Sequence, residues 1–141
     1  VLLGVAILHA DVALGEIGRR AATELIAPRV AAGKNVWFVG HWGFQWYAEK
    51  AGGRHVTLTP PYPEKGDAIV VSVGYGTSVQ LLELVANRFP RMVRAAQLVD
   101  SAPGGRIMDP QRGIGFYSNA AGYLPWGWGD SPVDAFLAFD L

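Results

Sequence analysis

The sequence predicts an α/β fold: a single domain whose mostly parallel central sheet, of about five or six strands, is flanked by helices in a Rossmann-like three-layer arrangement. Short apolar runs alternate with segments of helical periodicity, which is typical of parallel strands joined by right-handed crossover helices. The run AIVVSV, residues 68–73, is apolar on both faces, as in a central parallel strand. The last predicted strands follow each other without a helix, which leaves antiparallel pairing open at the C-terminal edge.

The first half of the chain supplies four further elements. Apolar residues at helical spacing predict a helix over 11–27, which Pro28 should end or kink because proline lacks an N–H group. Asn35–Val39 predicts a short buried strand, and a helix follows over 44–51 before two glycines. Alternating residues over 55–59 predict a half-buried strand.

The second half begins with a helix at Thr77, whose hydroxyl is expected to cap it while Gln80 completes a capping box. Pro90 should end this helix. The segment from 101 to 113 is predicted to be a long loop. The segment 92–99 is ambiguous, but its length and the turn that follows favour a strand. Two final strands are predicted over 113–118 and 134–141.

Composition excludes several classes of function. The 141 residues contain 12 basic and 12 acidic side chains, so we expect no nucleic-acid partner, which would require surplus positive charge. The absence of cysteine excludes disulfides, thiol catalysis and cysteine-based zinc sites. The three histidines, at positions 9, 41 and 55, have no metal-ligand spacing, and we expect neither a metal nor another cofactor.

The apolar N-terminal segment has two interpretations. Val1–Leu8 is too short to span a membrane, which takes about 20 residues, and it lacks the basic start of a secretory signal. It is therefore either a buried first element or the end of a membrane helix that begins upstream. The predicted organisation is residues 1–10 as such a stub and residues 11–141 as the single domain.

The segment GHWGFQWYAE, residues 40–49, lies where a predicted strand meets a helix. Ligands of open α/β sheets bind at such carboxyl ends of strands, and helix N-termini favour anions. His41, Trp42 and Gln45 are therefore candidate ligand-binding residues. The segment lacks the glycine pattern of dinucleotide and phosphate loops, and it equally suits a tight turn with aromatic rings in the core.

A second aromatic segment follows late in the chain. All five tryptophans lie in two short stretches, and the later one, YLPWGWG, contains Trp126 and Trp128 between glycines. Aromatic rings with a polar handle suit sugar faces, membrane interfaces or a core. Asn119, Trp126 and Trp128 complete the candidate ligand-binding set.

No catalytic residue is predicted. The serines lack the GxSxG elbow, and no HExxH motif is present. Two pairs of aspartates, Asp100 with Asp109 and Asp130 with Asp134, flank loops, and paired carboxylates can hydrolyse glycosides. Loop aspartates more often serve as turn residues, and spacing alone does not place either pair across a sugar.

Two segments, NVWFVGHWGFQWYAEKAG and GFYSNAAGYLPWGWGDSPVDAFLAF, resemble the C-terminal region of bacterial membrane proteins similar to dolichyl-phosphate-mannose-protein mannosyltransferases. The resemblance extends over most of the chain from Asp11. It implies a soluble extracytoplasmic (periplasmic-face) domain that follows a series of membrane helices. In such proteins the donor is a polyprenyl-phosphate-linked sugar and the catalytic acid lies in an earlier loop, so no catalytic residue carries over to this chain.

The leading hypothesis from the sequence is therefore a non-catalytic accessory domain of a membrane-bound glycosyltransferase-like protein. Its partners would be the membrane helices of the parent protein and a glycan acceptor or lipid-linked sugar. Two alternatives stay open: a standalone Rossmann-like small-molecule enzyme, and a structural or interaction domain. The enzyme alternative predicts a pocket at the ends of strands 35–39 and 68–73 that contains ionisable groups with shifted pKa values.

Overall fold

The computed structural model describes residues 2–74, 77–116, 122–130 and 132–141. The chain begins with a helical rod in three parts, α1 (Leu2–Ala21), a π-helical turn (Ala22–Ile26) and α2 (Ala27–Ala31). The predicted end of this helix at Pro28 is wrong. The π turn shifts the hydrogen bonds, so that the Ala27 N–H donates to the Ala22 carbonyl, and Pro28 then lies in the first turn of α2, where proline is tolerated.

The residues from Leu2 onward already belong to α1, and the side chains of Val5 and Leu8 are exposed rather than part of the core. Among the described residues, no helix combines the length and the apolar character needed to cross a bilayer. The division into a stub over 1–10 and a domain over 11–141 stays a prediction.

The remaining elements are short. In chain order they are β1 (Val36–Val39), α3 (Trp42–Lys50), β2 (Arg54–His55), β3 (Ala68–Ser72), α4 (Val79–Arg88), β4 (Val93–Ser101), β5 (Gly104–Arg106), β6 (Met108–Asp109), a 3₁₀ turn (Pro110–Arg112), β7 (Ile114–Gly115), β8 (Gly127–Gly129) and β9 (Pro132–Asp140).

The central sheet has five strands in the order β2-β1-β3-β9-β4 and is mixed. β1 pairs in parallel with β2 and β3, whereas β9 lies between β3 and β4 and is antiparallel to both. The predicted mostly parallel, Rossmann-like sheet is therefore wrong. Strand β3 is buried on both faces as expected, but burial does not reveal the direction of the neighbouring strand.

The two faces of the sheet contribute to two separate apolar clusters. Val36 and Val70 pack with residues of α1 and α3 on one face, which we call the α1/α3 face. Ile69 and Val71 pack against Leu81 of α4 on the other, the α4 face. Successive strand residues point to opposite faces, so β1, β3 and β9 each supply both clusters.

Several local predictions need correction. The strand expected over 55–59 overlaps the two-residue strand β2 only at His55, because the chain beyond it is irregular, with bends at 58–60 and a turn at 65–66. The cap of α4 is Ser78, whose side chain accepts from the Leu81 N–H, whereas the Thr77 hydroxyl donates to the Ser72 carbonyl. The expected loop over 101–113 contains β5 and β6, which pair with β8 and β7 in two small sheets.

Candidate functional site

The turn between β1 and α3 depends on a glycine. A Cβ added at Gly40 would lie 2.5 Å from Cδ1 of Phe44, so a larger residue would displace this ring. Phe44 in turn packs edge-on against Phe38 and lies 4.6 Å, centroid to centroid, from Phe136. The glycine thereby lets the start of α3 settle directly onto the sheet.

Two unusual features mark the residues that follow this glycine, His41 and Trp42. His41 is the N-cap residue of α3, yet its side chain makes no capping hydrogen bond. Trp42 has a φ of 56°, a left-handed conformation that is rare for a bulky residue and is found most often at functional sites. Its side chain is 62% exposed. The turn thus presents an imidazole and an indole rather than burying them.

Both side chains line a cavity of about 540 Å³. The cavity lies at the carboxyl ends of β1 and β3, between α1, the start of α3 and β9. Its volume falls in the range of small-molecule sites, about 300–1,000 Å³. Its lining residues are Asp11, Leu14, Gly15, Gly18, His41, Trp42, Gly43, Phe44, Ser72, Met108, Asp134 and Phe136.

Asp134 is the most perturbed polar group of the cavity. One carboxylate oxygen accepts from the Ser72 hydroxyl at 3.3 Å and the other from the Ala135 N–H at 2.7 Å. A Cβ at Gly74 would lie 2.2 Å from this carboxylate, so only glycine allows the close approach. Burial raises the pKa of Asp134 to about 6, although these hydrogen bonds oppose the shift. Asp134 therefore changes its protonation state close to neutral pH.

A second carboxylate, Asp11, lines the cavity from α1, and burial raises its pKa as well. No lysine or arginine is among the described residues that line the cavity. The described basic residues of α1 are engaged elsewhere, since Arg19 pairs with Glu16, and Arg20 pairs with Glu24 and Asp100. The charged groups that face the cavity are therefore acidic.

Behind His41 lies a second imidazole. The rings of His41 and His55 are 5.6 Å apart, and Phe38 packs against His55 from the other side. Burial, followed by the neighbouring His41, lowers the pKa of His55, whereas Glu49 and a backbone hydrogen bond with Gly40 oppose this shift. His55 thus stands as a neutral packing partner of the cavity wall at neutral pH.

The structure brings only part of the predicted site together. His41 and Trp42 line the cavity, but Gln45 lies one turn further along α3, where its amide donates to Glu49. Trp126 and Trp128 are exposed beside and on β8, and they do not line this cavity. Asn119 lies outside the described residues.

Sequence reasoning missed Asp11 and Ser72 and considered Asp134 only as one of a pair with Asp130. Ser72 carried a usable signal, because it is the single hydroxyl at the end of the otherwise apolar strand β3. Asp134 lies opposite Asp100 across β9 and β4, and that register comes from long-range pairing that spacing does not reveal.

The other predicted carboxylates have structural partners. Asp100 accepts from Arg20, and Asp130 accepts from Arg112 at 2.7 Å. Asp109 is 1% exposed and lies 3.8 Å from the buried guanidinium of Arg106, which also donates to the Ala102 carbonyl. Within the described part of the chain, no group of three or more His, Asp or Glu side chains is arranged to hold a metal ion.

The cavity, with its exposed indole, its imidazole, its hydroxyl and two carboxylates, is the candidate site. Comparison of the chain with protein-family models, with curated proteins and with solved structures finds no match.

Proposed function

We propose that this domain binds a hydroxylated, sugar-sized ligand non-covalently in the cavity at the carboxyl ends of β1 and β3. The single observation that carries the proposal is that one cavity combines the exposed face of Trp42 with the oxygen acceptors of Ser72 and Asp134. In keeping with the sequence resemblance, the domain would be a non-catalytic accessory part of a membrane-bound glycosyltransferase-like protein, on the extracytoplasmic side.

The chemistry of a sugar explains why this combination favours it. A pyranose ring has an apolar face of C–H groups, which stacks on an indole, and a rim of hydroxyls, which need hydrogen-bond partners. A carboxylate accepts several such bonds, and a serine hydroxyl both donates and accepts. The apolar remainder of the lining, from Leu14, Met108 and Phe136, matches the mostly apolar character of ligand cavities.

The test is a titration of the domain with neutral oligosaccharides, followed by the indole ¹H–¹⁵N resonances of its tryptophans. We expect the Trp42 resonance to shift saturably, and we expect the Trp42→Ala variant to bind about five- to thirtyfold more weakly, since one stacked ring contributes on the order of 1–2 kcal/mol. Trp128→Ala is the matched control, because Trp128 is 58% exposed but outside the cavity.

Two outcomes would contradict the proposal. Loss of binding in Trp128→Ala with full binding in Trp42→Ala would place glycan recognition on the late aromatic segment. No saturable shift with any sugar would remove the cavity as a glycan site.

A second candidate, a small-molecule enzyme, is favoured by one observation. Asp134, with its pKa near 6, shares the cavity with His41, and a carboxyl group that titrates near the working pH suits general acid–base catalysis. Turnover of a bound ligand that disappears in Asp134→Asn and follows a pH profile with an inflection near 6 would establish this function in place of simple binding.

A further inference from the structure

The electrostatic character of the cavity narrows the class of ligand, on the assumption that the proposed site binds a sugar. Asp11 and Asp134 face the cavity from α1 and β9, and no basic side chain is among its described lining residues. The residues that the structure does not describe contain no lysine or arginine, so all 12 basic residues belong to its described part. An anionic ligand would therefore enter a cavity with no cation to pair with it.

Trp42 acts in the same direction as the carboxylates. The face of an indole ring attracts a cation placed over it, and Trp42 lines the cavity and is 62% exposed. A protonated amine would thus meet an aromatic face and carboxylate oxygens in one site, which is the usual way that proteins recognise ammonium groups.

One feature of the cavity opposes the binding of a cation and favours an anion instead. The first residues of α3 line the cavity, and a helix N-terminus acts as roughly half a positive charge. Two full negative charges outweigh it when both carboxylates are ionised. Among the described residues, the titratable or charged groups that bear on the balance are Asp134 itself, Asp11 on α1, His41 at the N-cap of α3, and Asp100, which lies opposite Asp134 on β4 and is already paired with Arg20.

We infer that the cavity selects sugars that carry a protonated amine and discriminates against phosphorylated or otherwise anionic ones. A phosphate-bearing headgroup is then the poorer ligand, and an amine-bearing glycan is the better one. The preference is greatest above the pH at which Asp134 ionises, and it declines in acid as the carboxylates become protonated.

The experiment compares three probes of similar size at pH 7: glucosamine, glucose and glucose 6-phosphate, each titrated against the Trp42 indole resonance. We expect glucosamine to bind about five- to tenfold more tightly than glucose, since two unit charges about 4 Å apart change a binding constant about fivefold even with the dielectric of water. Glucose 6-phosphate should bind more weakly than glucose.

Variants localise the effect. Asp134→Asn and Asp11→Asn should each weaken glucosamine binding more than glucose binding, which brings the two affinities closer together. Asp130→Asn is the matched control, because Asp130 is exposed and paired with Arg112 outside the cavity, and the ratio of the two affinities should not change. If Asp134→Asn fails to fold, Asp11→Asn still decides the question.

The outcomes separate this inference from the function on which it rests. Equal binding of glucosamine and glucose, or strongest binding of glucose 6-phosphate, overturns the amine preference and leaves sugar binding intact. Failure of all three probes to shift Trp42 overturns both.

Discussion

The two faces of the central sheet are built from the same strands but provide opposite environments. The α1/α3 face has the cavity of about 540 Å³, with Ser72 and Asp134 in its wall. The α4 face has a smaller cavity, of about 210 Å³, and its described lining residues are all apolar: Val71, Val73, Leu82, Val85, Ala86, Met92, Leu137 and Phe139. Only the first cavity offers hydrogen bonds, so the second is a packing gap beneath a single helix rather than a site.

Alternation along the strands produces this difference. Ser72 follows Val70 on the α1/α3 face, whereas Val71 between them points to α4. On β9, Asp134 similarly precedes Phe136. The polar groups occur at the end of each strand, so the middle of this face remains a core and only its edge becomes a site.

The largest expected effect tests how unequally the two faces contribute to stability. Phe136 is fully buried against Phe44, so Phe136→Ala should lower the free energy of unfolding by about 3–5 kcal/mol. Phe139, which is only partly buried against the α4 face, is the matched position, and Phe139→Ala should lower it by less. Urea unfolding of both variants measures the difference, and equal losses would show that α4 is packed as firmly as α1 and α3.

The second prediction concerns the contribution that Asp134, on the polar face, makes to the pH dependence of stability. The pKa of Asp134 is about 6 in the folded chain against 3.8 for a free side chain. Between these two values the folded state keeps a proton on Asp134 that the unfolded state has released. The contribution of Asp134 to the free energy of unfolding should therefore fall as pH rises from about 4 through 6, by up to roughly 3 kcal/mol in total.

Asp134→Asn should remove this part of the pH dependence, and thermal unfolding between pH 4 and 8 measures it. The wild-type melting temperature should decline across that window more than the variant's. Parallel profiles of the wild type and Asp134→Asn across the window would show that Asp134 is better solvated than its burial indicates, and the comparison cancels the contributions of other groups such as His55, whose lowered pKa acts in the opposite direction.

The smallest effect separates helix stability from ligand binding. Gly15 lies within α1 and lines the cavity, and a Cβ added there meets no atom within 4 Å. Gly15→Ala should stabilise the helix by about 0.5–1 kcal/mol and narrow the cavity, so ligand binding should weaken. Gly4→Ala, on the same helix but outside the cavity, should leave binding unchanged. Weaker binding in both variants would mean that the effect arises from the helix and not from the cavity.

The fold could be predicted only in its local parts. The buried run of β3 and the strands β1 and β9 follow from apolar patterns that burial imposes on any strand, and these predictions are confirmed. The strand β4 is confirmed as well, although it is mostly exposed and is favoured only by its length and the turn that follows it. The direction of β9 could not be predicted, because its apolar residues would be equally buried beside β3 in either orientation. The last strand lies in the middle of the sheet because of long-range pairing, which no local sequence pattern indicates.

The candidate site was predictable to the same extent. His41 and Trp42 could be identified because a strand, a glycine and a helix follow each other directly in the chain. Asp134 enters the cavity only because β9 lies beside β3, and Asp11 only because α1 packs against α3. Trp126 and Trp128 are predicted as ligand-binding residues from composition alone, and composition does not distinguish a ring in a cavity from a ring on an exposed strand.

The π turn at Ala22–Ile26 has a consequence for how this site tolerates insertions and deletions. Such a turn holds one residue more than the α-helix it interrupts, and each residue of an α-helix turns the chain by about 100°. Loss of one residue there would leave an uninterrupted helix, in which Asp11, Leu14, Gly15 and Gly18 would face about a quarter-turn away from α3. The direction in which α1 presents its carboxylate is thus set by the length of the chain, and a single-codon deletion outside the cavity would displace its wall without altering any residue that lines it.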